Sequence, residues 1–263
     1  MTRTDFYKTH WQSIDPERME AYRAAFAWDE ATEAMYAPLG ITIGQTIADF
    51  GCGPGKVAVE LARRVGASGH IHALDINEDF LETTSENAEA AGFADRVTTH
   101  VSEGVALPFA DQSLDLVTAR NAMMYVDDPV ATLKEFGRVL KPGGRALAVD
   151  GDWYMMVAEP VPHDLWRAFV KAAGHACRNA DMGRKLHSCF TAAGFVDIEV
   201  SIHARADTTG SKLGMIRNMA NYARESGTMS ERDIADVLDA IDTGLSNGTY
   251  LAVSPQFAVV GRT

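Results

Sequence analysis

The chain has 263 residues, 46% of them hydrophobic and 23% charged, which is the balance of an ordinary folded protein with room for one large α/β domain or two small ones. Its 36 acidic residues outnumber 24 basic ones, and the formal charge of −12 repels phosphate backbones and anionic headgroups, so nucleic acid and membrane surfaces are disfavoured partners. No stretch approaches the roughly 20 apolar residues of a membrane span, and the opening residues lack the apolar core of a signal peptide, so a cytoplasmic protein is expected. Cys52, Cys177 and Cys189 lack metal-ligand spacing, which predicts reduced thiols and no metal site. Arg178, Arg184 and Lys185 come nearest to a basic patch and are expected to solvate a helix face.

In chain order, residues 5–40 mix aromatics with charges at helical spacing, and residues 1–40 are expected to form an N-terminal helical lid. From about 46 to 150, short apolar runs alternate with helical patterns: TIADF, VAVELARRV, HIHALD, FLETTSENAEAAG, VTTHV, LDLVTA, ATLKEFGRVL and, after the Pro142-Gly143-Gly144 turn, RALAVD. Four strand–helix units followed by a fifth strand predict a parallel, doubly wound sheet. Helical cap insertions are expected at about 153–193, ending at Gly194 as a helix stop, and at about 208–246, where Ser230 caps the second amphipathic stretch. The strand VDIEVSIHA lies between them, and FAVVG is the last strand, so 41–263 reads as one α/β domain with caps.

The most specific string is Asp49-Phe50-Gly51-Cys52-Gly53-Pro54-Gly55-Lys56, at a strand-to-helix turn where glycines let backbone approach a ligand. A dinucleotide fingerprint needs Gly or Ala where Lys56 stands. Asp49, two residues before the first glycine, would repel a pyrophosphate and attract a cation. S-adenosylmethionine carries a sulfonium and an ammonium and no phosphate. Asp75, 24 positions after Gly51, stands where an acid accepts hydrogen bonds from ribose hydroxyls, and Glu103, after the third strand, suits an adenine amine.

These residues resemble the class I S-adenosylmethionine-dependent methyltransferase family, in its ubiquinone/menaquinone-biosynthesis-like (methyltransferase type 11) group. Asp49 to Gly55 is similar to the family's first motif, the run from Leu107 to Asp115 to the segment entering strand four, and the run from Arg138 to Gly144 to the turn before strand five. The resemblance is close over roughly 45–150 and implies a Rossmann-like, seven-stranded, mostly parallel sheet whose last strand is antiparallel and lies between strands five and six. It implies that Asp49, Gly51, Cys52, Gly53 and Gly55 hold the methionine end, Asp75 the ribose, Glu103 with Gly104 the adenine, and the Arg120-Asn121 backbone the sulfonium side; Ile76 and Tyr7 complete the expected cofactor set. One common subgroup has a histidine where this chain reads Met123-Met124-Tyr125-Val126, so no histidine base is assumed there.

Methyl transfer from a sulfonium is an in-line displacement in which positioning supplies much of the acceleration and a base is optional. Tyr125 and His163 are the candidate catalytic groups, and Tyr125, Trp153, Tyr154, Arg217 and Asn218 the candidate acceptor-binding groups. The methionines and aromatics of 123–125, 153–156 and 215–222 either wall an acceptor pocket or pack the core. The expected activity is methylation of carbon, nitrogen or oxygen on a neutral or cationic small molecule, an aromatic secondary metabolite being one example, by a monomer or homodimer. The alternatives are an S-adenosylmethionine-binding scaffold or regulatory protein that does not methylate, and a nicotinamide-dependent oxidoreductase.

Overall fold

The computed structural model describes Trp11, Ile14, Met19, Tyr22 and residues 28–263 apart from Glu103. The elements run α1 (Glu30–Tyr36), β1 (Thr46–Phe50), α2 (Lys56–Val65), β2 (His70–Asp75), α3 (Glu78–Ala90), β3 (Val97–Val101), β4 (Leu114–Arg120), α4 (Pro129–Val139) and β5 (Leu140–Gly151). They continue β6 (Val157–Glu159), α5 (His163–Ala173), α6 (Met182–Ala193), β7 (Val196–His203), β8 (Ala206–Asp207), α7 (Leu213–Ser226), α8 (Glu231–Asn247), β9 (Leu251–Val253) and β10 (Gln256–Arg262).

The main sheet has seven strands in the order β3-β2-β1-β4-β5-β10-β7. Strands β1 to β5 pair in parallel, and β10 pairs antiparallel with both β5 and β7, which is the arrangement the resemblance implies. One face buries Phe136 of α4 with Leu186 and Phe190 of α6, all 0% exposed, and the other buries Leu61 and Val65 of α2 with Ile47 and Val149 of the sheet. The chain runs outward from β1 to β3 and crosses back to β4 beside β1, so a crevice opens at the C-terminal ends of β1 and β4, where open α/β sheets bind ligands.

A second unit sits over that crevice. The short antiparallel sheet β6-β9-β8 and helices α5, α7 and α8 surround a separate apolar cluster built on Trp166, Phe169, Ile216, Ile234 and Val237. Ser230 caps α8 by accepting from the Asp233 amide, and Gly194 ends α6 in the left-handed region at φ 94°, both as the sequence predicts.

The structure corrects three boundaries. No helix lies between β3 and β4 among the described residues: 104–113 is a loop, held by Arg138, which donates to the carbonyls of Leu107 and Phe109, and by Glu135, which accepts from the Leu107 amide at 2.7 Å. Helix α6 covers the main sheet, so only the part of 153–193 before it leaves the sheet to form cap. Helix α1, inside the stretch expected to be lid, packs on the sheet layer, because Tyr36 is 1% exposed and its hydroxyl oxygen accepts from Thr118 on β4 at 3.0 Å; most of residues 1–27 lie outside the described residues. No helix among the described residues is long and apolar enough to cross a membrane.

Candidate active site

The crevice opens into a cavity of about 1210 Å³ that reaches from the glycine loop to the cap. That exceeds the usual range for one drug-sized ligand and leaves room for a nucleoside and a second molecule. The loop between β1 and α2 is shaped by left-handed glycines. Gly51 has φ +70°, and a Cβ there would stand 2.6 Å from Ala122 Cβ, so a side chain is excluded where the ends of β1 and β4 meet. Gly53 has φ +52° and open space where its Cβ would be, so its bare backbone faces the cavity. Helix α2 begins directly behind, presenting its unpaired N-terminal amides toward the loop.

Two enclosed acids stand beside this loop, with Arg120 near them. Asp49 is 2% exposed, and its Oδ2 has no hydrogen-bond partner among the described residues. Burial, reinforced by the neighbouring Asp75, pushes the Asp49 carboxyl up to about 7, against the pull of Arg120. Asp75 accepts from the Gly53 amide at 2.8 Å through Oδ2 and from the Asn77 amide at 3.0 Å through Oδ1, and burial raises its carboxyl too. Each oxygen keeps a second lone pair for a ligand hydroxyl. Cys52, Ile76, Gly104, Arg120 and Asn121 also line this end. Asn121 holds a left-handed φ of 53° while its amide donates to the Val149 carbonyl at 2.7 Å, a conformation that asparagine tolerates better than most residues. The donor set fits S-adenosylmethionine: an enclosed carboxylate with an unused oxygen for a cation, an open glycine backbone for close approach, and a second carboxylate for the ribose.

The far end is aromatic and capped. Tyr125 packs edge-on to Trp11 at 5.2 Å between ring centroids, and Trp11 and Tyr22 reach Phe80 at 6.4 and 6.2 Å. Trp153 stacks with Tyr222 of α7 at 6.4 Å, and the Asn218 amide donates to the Tyr222 hydroxyl at 2.8 Å. Burial first, then the nearby Cys177 and Tyr222, hold the Tyr125 phenol well above its ordinary range. Asp207 fixes the start of α7: burial alone would raise its carboxyl, yet the amides of Lys212, Thr209 and Ser211 and their neighbour Gly210 hold it far below the usual range.

The structure thus brings together Asp49, Gly51, Cys52, Gly53, Asp75, Ile76, Gly104, Arg120, Asn121, Tyr125, Trp153, Arg217 and Asn218 on one cavity wall. Three sequence candidates lie outside the cavity lining. The missing Cβ of Gly55 would point toward α3, 2.5 Å from Thr84 Oγ1, and its φ of +78° serves the loop-to-helix turn. Tyr154 is 49% exposed and lies off the cavity, with its hydroxyl 3.4 Å from where a Gly174 Cβ would sit. His163 is the first residue of α5, its side chain 77% exposed and 3.5 Å from Asp164, and it does not line the cavity. Tyr7 and Glu103 lie outside the described residues. The basic trio proves to be ion-paired: Arg178 with Asp127, Arg184 with the fully buried Asp152, and Lys185 with Asp181. Sequence reasoning missed Phe80 and Gln256 as wall residues; the reversed last strand, which the resemblance implied, was the signal for Gln256.

Residues 41–194 match the family model described as a methyltransferase domain. Methyltransferase GfsG of Streptomyces halstedii is 34% identical over 138 residues, 52% of this chain and 46% of that protein. Ubiquinone/menaquinone biosynthesis C-methyltransferase UbiE of Roseobacter denitrificans is 35% identical over 123 residues, 47% of this chain and 48% of that protein. The chain thus spans about half the length of the curated relatives it matches. The fold is shared with phosphoethanolamine N-methyltransferase 2 of Haemonchus contortus, solved with phosphomonomethylethanolamine and S-adenosylhomocysteine, at a TM-score of 0.64 and 18% identity over 99% of this chain and 60% of that one. With its strand order in the class I arrangement that the sequence resemblance implies, the chain belongs to the methyltransferase domain family.

Proposed function

We propose that this chain transfers a methyl group from S-adenosylmethionine to a small molecule held beneath the cap. The observation that carries this reading is the buried Asp49 carboxyl, its Oδ2 unpartnered among the described residues, at one end of a cavity that continues into an aromatic pocket. Bound at the glycine loop, S-adenosylmethionine would supply a methyl group on a cationic sulfur with a good leaving group.

The chain's own residues bind, orient and exclude water. Asp49 attracts the cationic end, and Asp75 accepts from the ribose hydroxyls. Tyr125, Trp153 and Tyr222 wall the acceptor against the loop, which brings the reactants into line and keeps water out. The Tyr125 phenol stays protonated at neutral pH, so it serves as a hydrogen-bond donor and an aromatic wall and not as a base. Asn218 and Arg217 orient polar groups of the acceptor, and Trp11 and Tyr22 stand against Phe80 at this end. Residues 41–263 act as one domain with its caps, and the net charge of −12 supports a small-molecule acceptor over nucleic acid, in a cytoplasmic monomer or homodimer.

Calorimetric titration separates the readings. S-adenosylhomocysteine is expected to bind and NADH is not, and Asp49→Asn is expected to weaken S-adenosylmethionine about tenfold or more. Binding of NADH alone overturns the assignment, and tight cofactor binding without label transfer to any acceptor favours the non-methylating scaffold.

A further inference from the structure

Gln256 is the first residue of β10. Because β10 runs against its neighbours, its first residue, not its last, stands at the strand ends that open onto the cavity, opposite Gly151 on β5 and His203 on β7. Gly151 makes room for it: a Cβ there would stand 3.0 Å from Gln256 Nε2 and 3.9 Å from Trp153 Cδ1. The amide therefore lies across the end of β5 beside the Trp153 ring, on the cavity wall.

The Gln256 Oε1 atom is out of reach of solvent and has no hydrogen-bond partner among the described residues. Asp49 Oδ2 and Ser102 Oγ share that condition, but they stand on the glycine-loop side, at the end of β1 and just after β3. A buried amide oxygen without a donor is costly, and a donor on a ligand, met by a small rotation of the amide, removes that cost. Asn218 and Arg217, which face the acceptor from α7, have protein partners as well, Asn218 donating to Tyr222 and Arg217 lying 3.8 Å from Asp242, whereas Gln256 Oε1 has none among the described residues. Trp153, Tyr222, Met215 and Met219 supply the aromatic and thioether part of this wall.

We propose that Gln256 is a specificity-determining residue whose side-chain oxygen accepts a hydrogen bond from an O–H or N–H group on an uncharged, largely apolar acceptor. This rests on the methyl-transfer reading and names the acceptor class that the same cavity takes.

The test compares 2-naphthol with 2-methoxynaphthalene, which differ by one donor, on the full chain saturated with S-adenosylhomocysteine, by calorimetry. The wild type is expected to prefer 2-naphthol by about fivefold or more, the effect of one neutral hydrogen bond. In Gln256→Leu the preference falls to within about twofold with S-adenosylhomocysteine affinity retained, and in Gln256→Glu, which keeps an acceptor oxygen, the preference persists. Equal binding of the two probes to the wild type, an undiminished preference in Gln256→Leu, or failure of both probes to bind at millimolar concentration each overturns the proposal. Failure of S-adenosylhomocysteine itself to bind overturns the functional reading beneath it, and is seen before either naphthalene is added.

Discussion

The two ends of the cavity are assembled in opposite ways. The glycine-loop end comes from one continuous run, Asp49 to Lys56, backed by Asp75 on the adjacent strand, and its shape follows from backbone angles that only glycines adopt easily. The cap end joins side chains far apart in the chain, Trp11, Tyr125, Trp153, Tyr222 and Gln256, each on a different element or connection. The apolar clusters divide in the same way, Phe136 in the sheet and Phe169 in the cap, with Trp153 touching both. A cradle set by local backbone geometry can stay constant while a cap built from loose insertions changes what sits beside it, so one fold can serve many acceptors.

The sharpest break in that comparison removes one core at a time. Phe136→Ala and Phe169→Ala each delete a ring that is 0% exposed and are expected to cost about 3–5 kcal/mol in denaturant unfolding. Phe136→Ala should lower the main transition and S-adenosylhomocysteine affinity together, whereas Phe169→Ala should lose naphthol binding and keep the nucleoside within a few-fold. Equal loss of both ligands in Phe169→Ala would show that the two ends do not separate.

Gly51→Ala acts at the cradle alone. Its left-handed φ and the 2.6 Å approach to Ala122 predict a loss of about 2–3 kcal/mol and at least tenfold weaker nucleoside binding, read by thermal melts and calorimetry.

The Asp49 carboxyl gives a smaller effect that depends on pH. Its folded value of about 7 lies above the ordinary 3.8, so the folded chain holds that proton more tightly than the unfolded one. The resulting stabilisation is complete below about pH 4 and is lost as pH rises through 7, and Asp49→Asn flattens that part of the stability profile. Affinity for the cationic nucleoside runs the other way, rising up to about tenfold from pH 6 to 8 as the carboxyl ionises. A flat affinity profile in the wild type would remove Asp49 from cation binding.

Ser230→Ala, which strips the α8 cap, should cost about 1 kcal/mol and leave nucleoside affinity unchanged.

The residues show where sequence reasoning reached and where it stopped. Asp49, Gly51, Gly53 and Asp75 were legible because each carries out a task set by its immediate chain neighbours: end a strand, turn the backbone, accept amides across one strand pair. Gly55 shared the same motif yet faces Thr84, since a spacing does not say which side of a turn a missing Cβ would occupy. His163 stood close in sequence to the end of β5, but β6 intervenes and carries it to the outer side of the cap. Phe80 and Gln256 carried no local signal, because their place on the wall depends on which strands become neighbours.

Taken alone, the sequence determined the alternating strand and helix order, the cap insertions in outline and the acidic glycine cradle, because hydrophobic period, turn residues and charge are encoded within a few residues of one another. Only the tertiary structure decided which side chains face each other across the cavity. Strand β10 enters between β5 and β7 from a chain end more than a hundred residues beyond β5, and reversing its direction brings Gln256 to the crevice. Contacts of that range are selected by the packing of whole layers, which no local pattern contains.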